Sequence, residues 1–89
     1  MEASSGNVFL DLGFTPAEAA YLHLRSELML MLTTLIRDRQ LTQSEAARLL
    51  GVSQPRVSDI TRGRVERFTI DALVELLARA GMTIEMRVK

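Results

Sequence analysis

Cysteine is absent from the 89 residues. That excludes a disulfide framework, a cysteine-based zinc site and a thiol nucleophile. Histidine occurs once, as His23, too few for a multi-histidine metal cage or a Ser-His-Asp team. Aromatic residues are scarce: only Phe9, Phe14, Tyr21 and Phe68. The core is therefore expected from Leu, Ile, Val, Met and Ala. No apolar run is longer than residues 28–32, far short of the roughly 20 that span a bilayer. The N-terminus carries Glu2 and no basic cluster ahead of an apolar stretch, unlike a secretory leader. These absences point to a cytoplasmic protein with no membrane partner, cofactor, metal or small-molecule substrate. What is present suits one small folded domain, with 47% hydrophobic residues. A domain this short buries about 60–65% of its unfolded surface, so a partner subunit would help it.

Net charge is also lacking: 11 basic residues balance 11 acidic ones. The distribution is uneven. Residues 1–36 carry Glu2, Asp11, Glu18 and Glu27 against Arg25, a net of −3. Residues 37–67 carry seven Arg against Asp38, Glu45, Asp59 and Glu66, a net of +3. Lysine occurs only at Lys89, so the basic charge is almost all arginine, the side chain suited to phosphate and guanine.

Residues 8–12 are apolar and end at Gly13, which predicts a strand or an extended arm within a loose segment 1–14. Thr15-Pro16-Ala17-Glu18 is a capping box with proline at the first helical position. Helical spacing then runs to about Arg39, with Ala17, Ala20, Tyr21, Leu24, Leu28, Met31, Leu32, Leu35 and Ile36 as one stripe. Unbroken, this helix would be roughly 36 Å long; a break near Ser26 would give two. Met29 and Leu30 fall off the stripe, so residues 28–32 are apolar nearly all round, which suggests a dimer interface. Thr42-Gln43-Ser44-Glu45 is a second capping box, opening a helix that ends at Leu50. Ser53 to Arg56 open a third helix, to about Arg62. Thr69 caps a fourth, from Ile70 to Ala80, with Ala72, Leu73, Leu76, Leu77 and Ala80 as its stripe. Met82, Ile84, Met86 and Val88 alternate with polar residues, which predicts a C-terminal strand over 82–89. Its mate would be the segment 8–12 or, preferably, the same strand of a second subunit.

The segment 43–62, QSEAARLLGVSQPRVSDITR, carries the function. A helix of about eight residues, a three-residue turn and a second helix must cross steeply, and only small residues permit that. Ala47 faces the contact, and Gly51 supplies a positive φ. Val52, Val57 and Ile60, with Leu50, pin the second helix. Gln54, Pro55, Arg56, Ser58, Asp59, Thr61 and Arg62 are left facing out. Gln can pair with adenine and Arg with guanine in the major groove. The helix N-termini at the two capping boxes, Thr15 and Thr42, can meet phosphates; Thr42 and Ser53 are counted among the candidate DNA contacts.

This segment resembles the helix-turn-helix of the Xre/Cro repressor family, whose small and apolar positions are matched by Ala47, Gly51, Val52, Val57 and Ile60. The flanks (Val8-Phe9 with Asp11-Leu12-Gly13, then Arg67-Phe68-Thr69, then Gly81 and an alternating tail) are similar to a bacterial subfamily of HigA-type antitoxins, encoded beside RelE-like ribonuclease toxins. The resemblance implies a mainly all-α, lambda-repressor-like bundle of four to five helices over 15–81, with the C-terminal β-strand pairing two subunits. It implies that Gln43 contacts a phosphate and braces Gln54. Gln54, Pro55 and Asp59 would meet base edges, and Arg56 and Ser58 bases or backbone. Arg62 and Arg64 would hold the backbone. Pro55 has no donor and could only pack, on a thymine methyl for example. Asp59 repels phosphates and could instead orient Arg56 or Arg62. The expected partners are double-stranded DNA, a second copy of the chain and a RelE-like toxin. His23 is read as a surface residue, and Met29, Met31, Met82 and Met86 as core or interface filler. Ser44, Ser53 and Ser58 lack a base and the carboxylates form no catalytic pair, so no enzymatic activity is expected. With no residues left over for a sensor domain, control is expected from a partner, proteolysis or concentration.

Overall fold

Five short polar side chains decide where the helices begin. Asn7, Thr15, Thr42, Ser53 and Thr69 each accept a hydrogen bond from a backbone N–H in the first turn that follows. The computed structural model describes residues 7–85, 87 and 88. In order these form α1 (Val8–Asp11), α2 (Pro16–Asp38), α3 (Gln43–Leu50), α4 (Gln54–Thr61), a 3₁₀ turn (Val65–Arg67) and α5 (Ile70–Arg79). Both expected capping boxes form: the Glu18 and Glu45 carboxylates reach back to the N–H groups of Thr15 and Thr42. The bonds from Thr15 hold the Glu18 carboxyl below the usual carboxylate range.

α2 is one helix with no break at Ser26, because no glycine or proline follows Pro16 to interrupt it. Its C-terminal half is the spine of the core. Leu28, Leu32, Leu35 and Ile36 join Ala46 and Leu50 of α3, Val57 and Ile60 of α4, Phe68, and Leu73, Leu76, Leu77 and Ala80. Phe68 is the one buried aromatic in this aliphatic set. The expected stripe fails in both halves of α2: Ala17, Ala20 and Tyr21 are exposed while Ala19 is buried, and Met29 is 4% exposed, whereas Met31 is 46% and Leu30 64% exposed. Met29 shares a groove with Gly63 and Val65, so the loop after α4 covers a side of α2 that its own periodicity leaves out.

Two expectations fail. Residues 8–12 are not extended: Asn7 accepts from the Phe9 N–H and donates its side-chain amide to the Ala19 carbonyl at 3.0 Å, docking a one-turn helix on α2. Phe9 and Phe14 meet edge-on with ring centroids 6.0 Å apart. The C-terminal strand is also absent among the described residues; Met86 and Lys89 lie outside them. With residues 8–12 helical, the described residues hold no free strand to pair with the tail, and a lone strand has no ladder. Ile84 instead packs partly against the core.

The N-terminal half of α2 stands off the bundle. Before Leu28 only Ala19 is buried on it. The radius of gyration, 14.4 Å, exceeds the roughly 12 Å of a compact chain this long. Among the described residues no helix is long and apolar enough to cross a membrane.

α2 ends in a Schellman motif: the Gln40 N–H donates to the Arg37 carbonyl and the Leu41 N–H to the Ile36 carbonyl. α4 ends the same way through Gly63 (φ 69°), but after α2 the left-handed residue is Gln40, with φ 53°. A Cβ there is strained by roughly 1–2 kcal/mol. Gln40→Gly is expected to stabilise the fold by about 1 kcal/mol, read as a higher urea midpoint at unchanged slope.

Candidate nucleic-acid interface

The steep crossing of α3 and α4 rests on small residues and one left-handed glycine. Gly51 has φ 70°, and its N–H and that of Val52 both donate to the Ala47 carbonyl, at 2.8 and 3.0 Å. Ala46, not Ala47, is the fully buried alanine; Ala47 is partly covered. Spacing alone does not separate the two neighbours, since both lie near the inner face. Val57 and Ile60 are fully buried and pin α4. Gln54, Pro55, Thr61 and Arg62 are left exposed, with Arg56, Ser58 and Asp59 half-buried. Pro55 lies in the first turn of α4, where its missing N–H leaves no helical bond unmade.

The two helix N-termini differ. At α3 the Thr42 hydroxyl caps the Glu45 N–H at 3.0 Å, and Thr42's own N–H is taken by the Glu45 carboxylate. The N–H groups of Gln43 and Ser44 remain open among the described residues. At α4 Ser53 caps the Arg56 N–H and Pro55 has none, so Gln54 alone within the helix offers one. No hydrogen bond joins Gln43 to Gln54 in this structure. Both side chains are exposed, each at the first position of its helix.

The other edge of α4 is engaged internally. The Arg56 guanidinium lies 3.8 Å from the centroid of the Phe68 ring, and its Nη1 donates to the Arg67 carbonyl at 3.0 Å. Asp59 pairs with neither Arg56 nor Arg62; Arg67 Nη1 reaches its two carboxylate oxygens at 3.2 and 3.4 Å. The Asp59 side chain is 19% exposed and that of Arg67 51%, so the pair sits at the edge of the surface. Arg62 and Arg64 carry no ion pair among the described residues. Arg64 is half-buried at the entrance to the 3₁₀ turn, and its N–H donates to the Asp59 carbonyl.

The ten residues Thr42, Gln43, Ser53, Gln54, Pro55, Arg56, Ser58, Asp59, Arg62 and Arg64 therefore divide. Gln43, Gln54, Pro55 and Arg62 are exposed; Thr42 and Ser53 are committed as caps; Arg56 and Asp59 tie α4 to the turn that follows it; Ser58 and Arg64 are half-buried. Phe68 and Arg67, which receive those ties, were noted only as a flank of the motif and not among the candidate DNA contacts. Their partners lie 12 and 8 residues away across an irregular segment, a separation with no periodic signature. Arg56→Ala is expected to cost about 1–2 kcal/mol of folding stability through the lost stacking and hydrogen bond. Gln54→Ala should leave stability within about 0.5 kcal/mol. Thermal melts of the two variants side by side check the contrast.

Comparison with known proteins agrees with this geometry. No curated protein matches the chain. The family described as a helix-turn-helix domain matches residues 8–89, from the first turn of α1 to the end of the chain and across the whole bundle. This protein belongs to that helix-turn-helix domain family.

Proposed function

We propose that the chain is a sequence-specific DNA-binding transcriptional repressor that acts as a homodimer on a palindromic operator. The observation that carries this reading is the presentation of α4. Its apolar side is locked by Val57 and Ile60, while Gln54 and Pro55 stand free at its outward N-terminus and Arg62 at its end. Gln54 suits an adenine edge, Pro55 a thymine methyl, and Arg62 and Arg64 the phosphates on either strand. Dimerisation would place two such helices about one helical turn of DNA, roughly 34 Å, apart. An apolar groove of about 480 Å³ lined by Leu30, Met31, Leu35 and Met82 supports a second copy as its cover.

A second partner is favoured by the other end of the molecule. Val8, Leu10, Leu12, Phe14 and Tyr21 are exposed on α1 and the standing half of α2, in the region whose net charge is −3. An apolar face in an acidic setting suits a basic protein, and a RelE-like ribonuclease toxin has that chemistry. Antitoxin and repressor are compatible roles, since the apolar face lies on α1 and the N-terminal half of α2 and the DNA-reading face on α3 and α4. No enzymatic step is assigned to the chain.

Duplexes selected from a random pool provide the test. Gln54→Ala should reduce preference for the selected site by about 1–3 kcal/mol, whereas Arg64→Ala should weaken binding to all duplexes alike. Gel shifts that are unchanged in both variants would refute the DNA assignment. Light scattering at micromolar concentration should report a dimer. Coexpression with the product of the neighbouring reading frame should yield a complex that Leu12→Asp with Phe14→Asp disrupts.

A further inference from the structure

A second groove, also of about 480 Å³, runs between the C-terminal turn of α2 and the C-terminal end of α4. Arg37, Gln40, Thr61 and Arg62 line it, and no carboxylate does. Arg62 has no ion pair among the described residues. Arg37 meets only the neighbouring Asp38, at 3.5 Å, with the two side chains 74% and 66% exposed. A surface pair of that kind contributes little and gives way readily to a better anion. Gln40 lines the groove with the two arginines, at a left-handed position where glycine would be less strained. Leu41, at the same rim, leads directly into Thr42 and the open N–H groups of Gln43 and Ser44. Arg62, exposed at the end of α4, belongs both to this groove and to the motif, and two guanidinium forks in one groove match the oxygens of a phosphodiester.

We propose that Arg37, Gln40 and Arg62 form a clamp for one backbone phosphate of bound duplex DNA, which makes Arg37, outside the helix-turn-helix, a DNA contact. This rests on the DNA-binding reading above. It assigns part of the affinity, not the sequence preference, to the end of α2.

The test measures binding of the full chain to two duplexes, one selected and one of unrelated sequence, across a range of potassium chloride. Arg37→Gln should flatten the log–log salt slope by about 0.9 on both duplexes, the loss of one phosphate contact. Arg37→Lys should restore it. Arg79→Gln removes the same charge from a different groove, beside Gly51, and should leave the slope unchanged. Thermal melting of each variant shows that it is folded, as expected for a side chain this exposed. A wild-type slope in Arg37→Gln, with the wild type binding DNA normally, overturns the clamp alone. A wild type that binds neither duplex at any salt overturns the DNA reading and the clamp with it. Saturable calorimetric binding of inorganic phosphate, lost in Arg37→Gln while the DNA slope stays unchanged, would reassign the groove to a small anion.

Discussion

Everything the molecule presents outward depends on how α4 is held from behind. Val57 and Ile60 are fully buried against Leu32, Ile36 and Leu50, and each such side chain contributes about 1.5–3 kcal/mol relative to an exposed one. With those two positions locked, the azimuth of an eight-residue helix is set. Gln54 and Pro55 then face out without any bond of their own to hold them there. The Arg56 stack on Phe68 and the Asp59–Arg67 pair act at the edge of the same helix. They fasten α4 to the turn that follows it, so the charged groups serve orientation while the apolar ones carry the stability.

α2 organises the rest by doing two things along its length. Its C-terminal half is the wall against which α4, α5 and the 3₁₀ turn pack. Its N-terminal half, covered only by α1, stands clear with an apolar face in an acidic region. The zero net charge of the chain conceals this division. One end carries the arginine-rich helix-turn-helix and the other an apolar face among acidic residues, and α2 joins them.

The reading of individual residues from the sequence was uneven for reasons that differ. Helix starts were legible because Thr15, Thr42, Ser53 and Thr69 act within their own first turn. Val57 and Ile60 were legible because a short helix pinned on one side leaves few alternatives. Residues 8–12 were misread because a five-residue apolar run has no period to count, and its helical state comes from Asn7 bridging to Ala19 twelve residues away. The tail alternates as a strand should, but alternation describes only half of a pair. Without a mate among the described residues the pattern forms no ladder.

Arg56 and Asp59 mark the boundary most clearly. By itself the sequence determined the helix caps, the tight turn at Gly51, the aliphatic core and the family to which the motif belongs, because each of these is set by bonds or periods spanning a few residues. Only the tertiary structure decided that Arg56 stacks on Phe68, that Asp59 is answered by Arg67, that Met29 rather than Met31 is buried, and that Arg37 and Arg62 share a groove. Those outcomes depend on where an irregular loop returns to a helix, and side-chain contacts across such a loop leave no repeat in the chain that makes them.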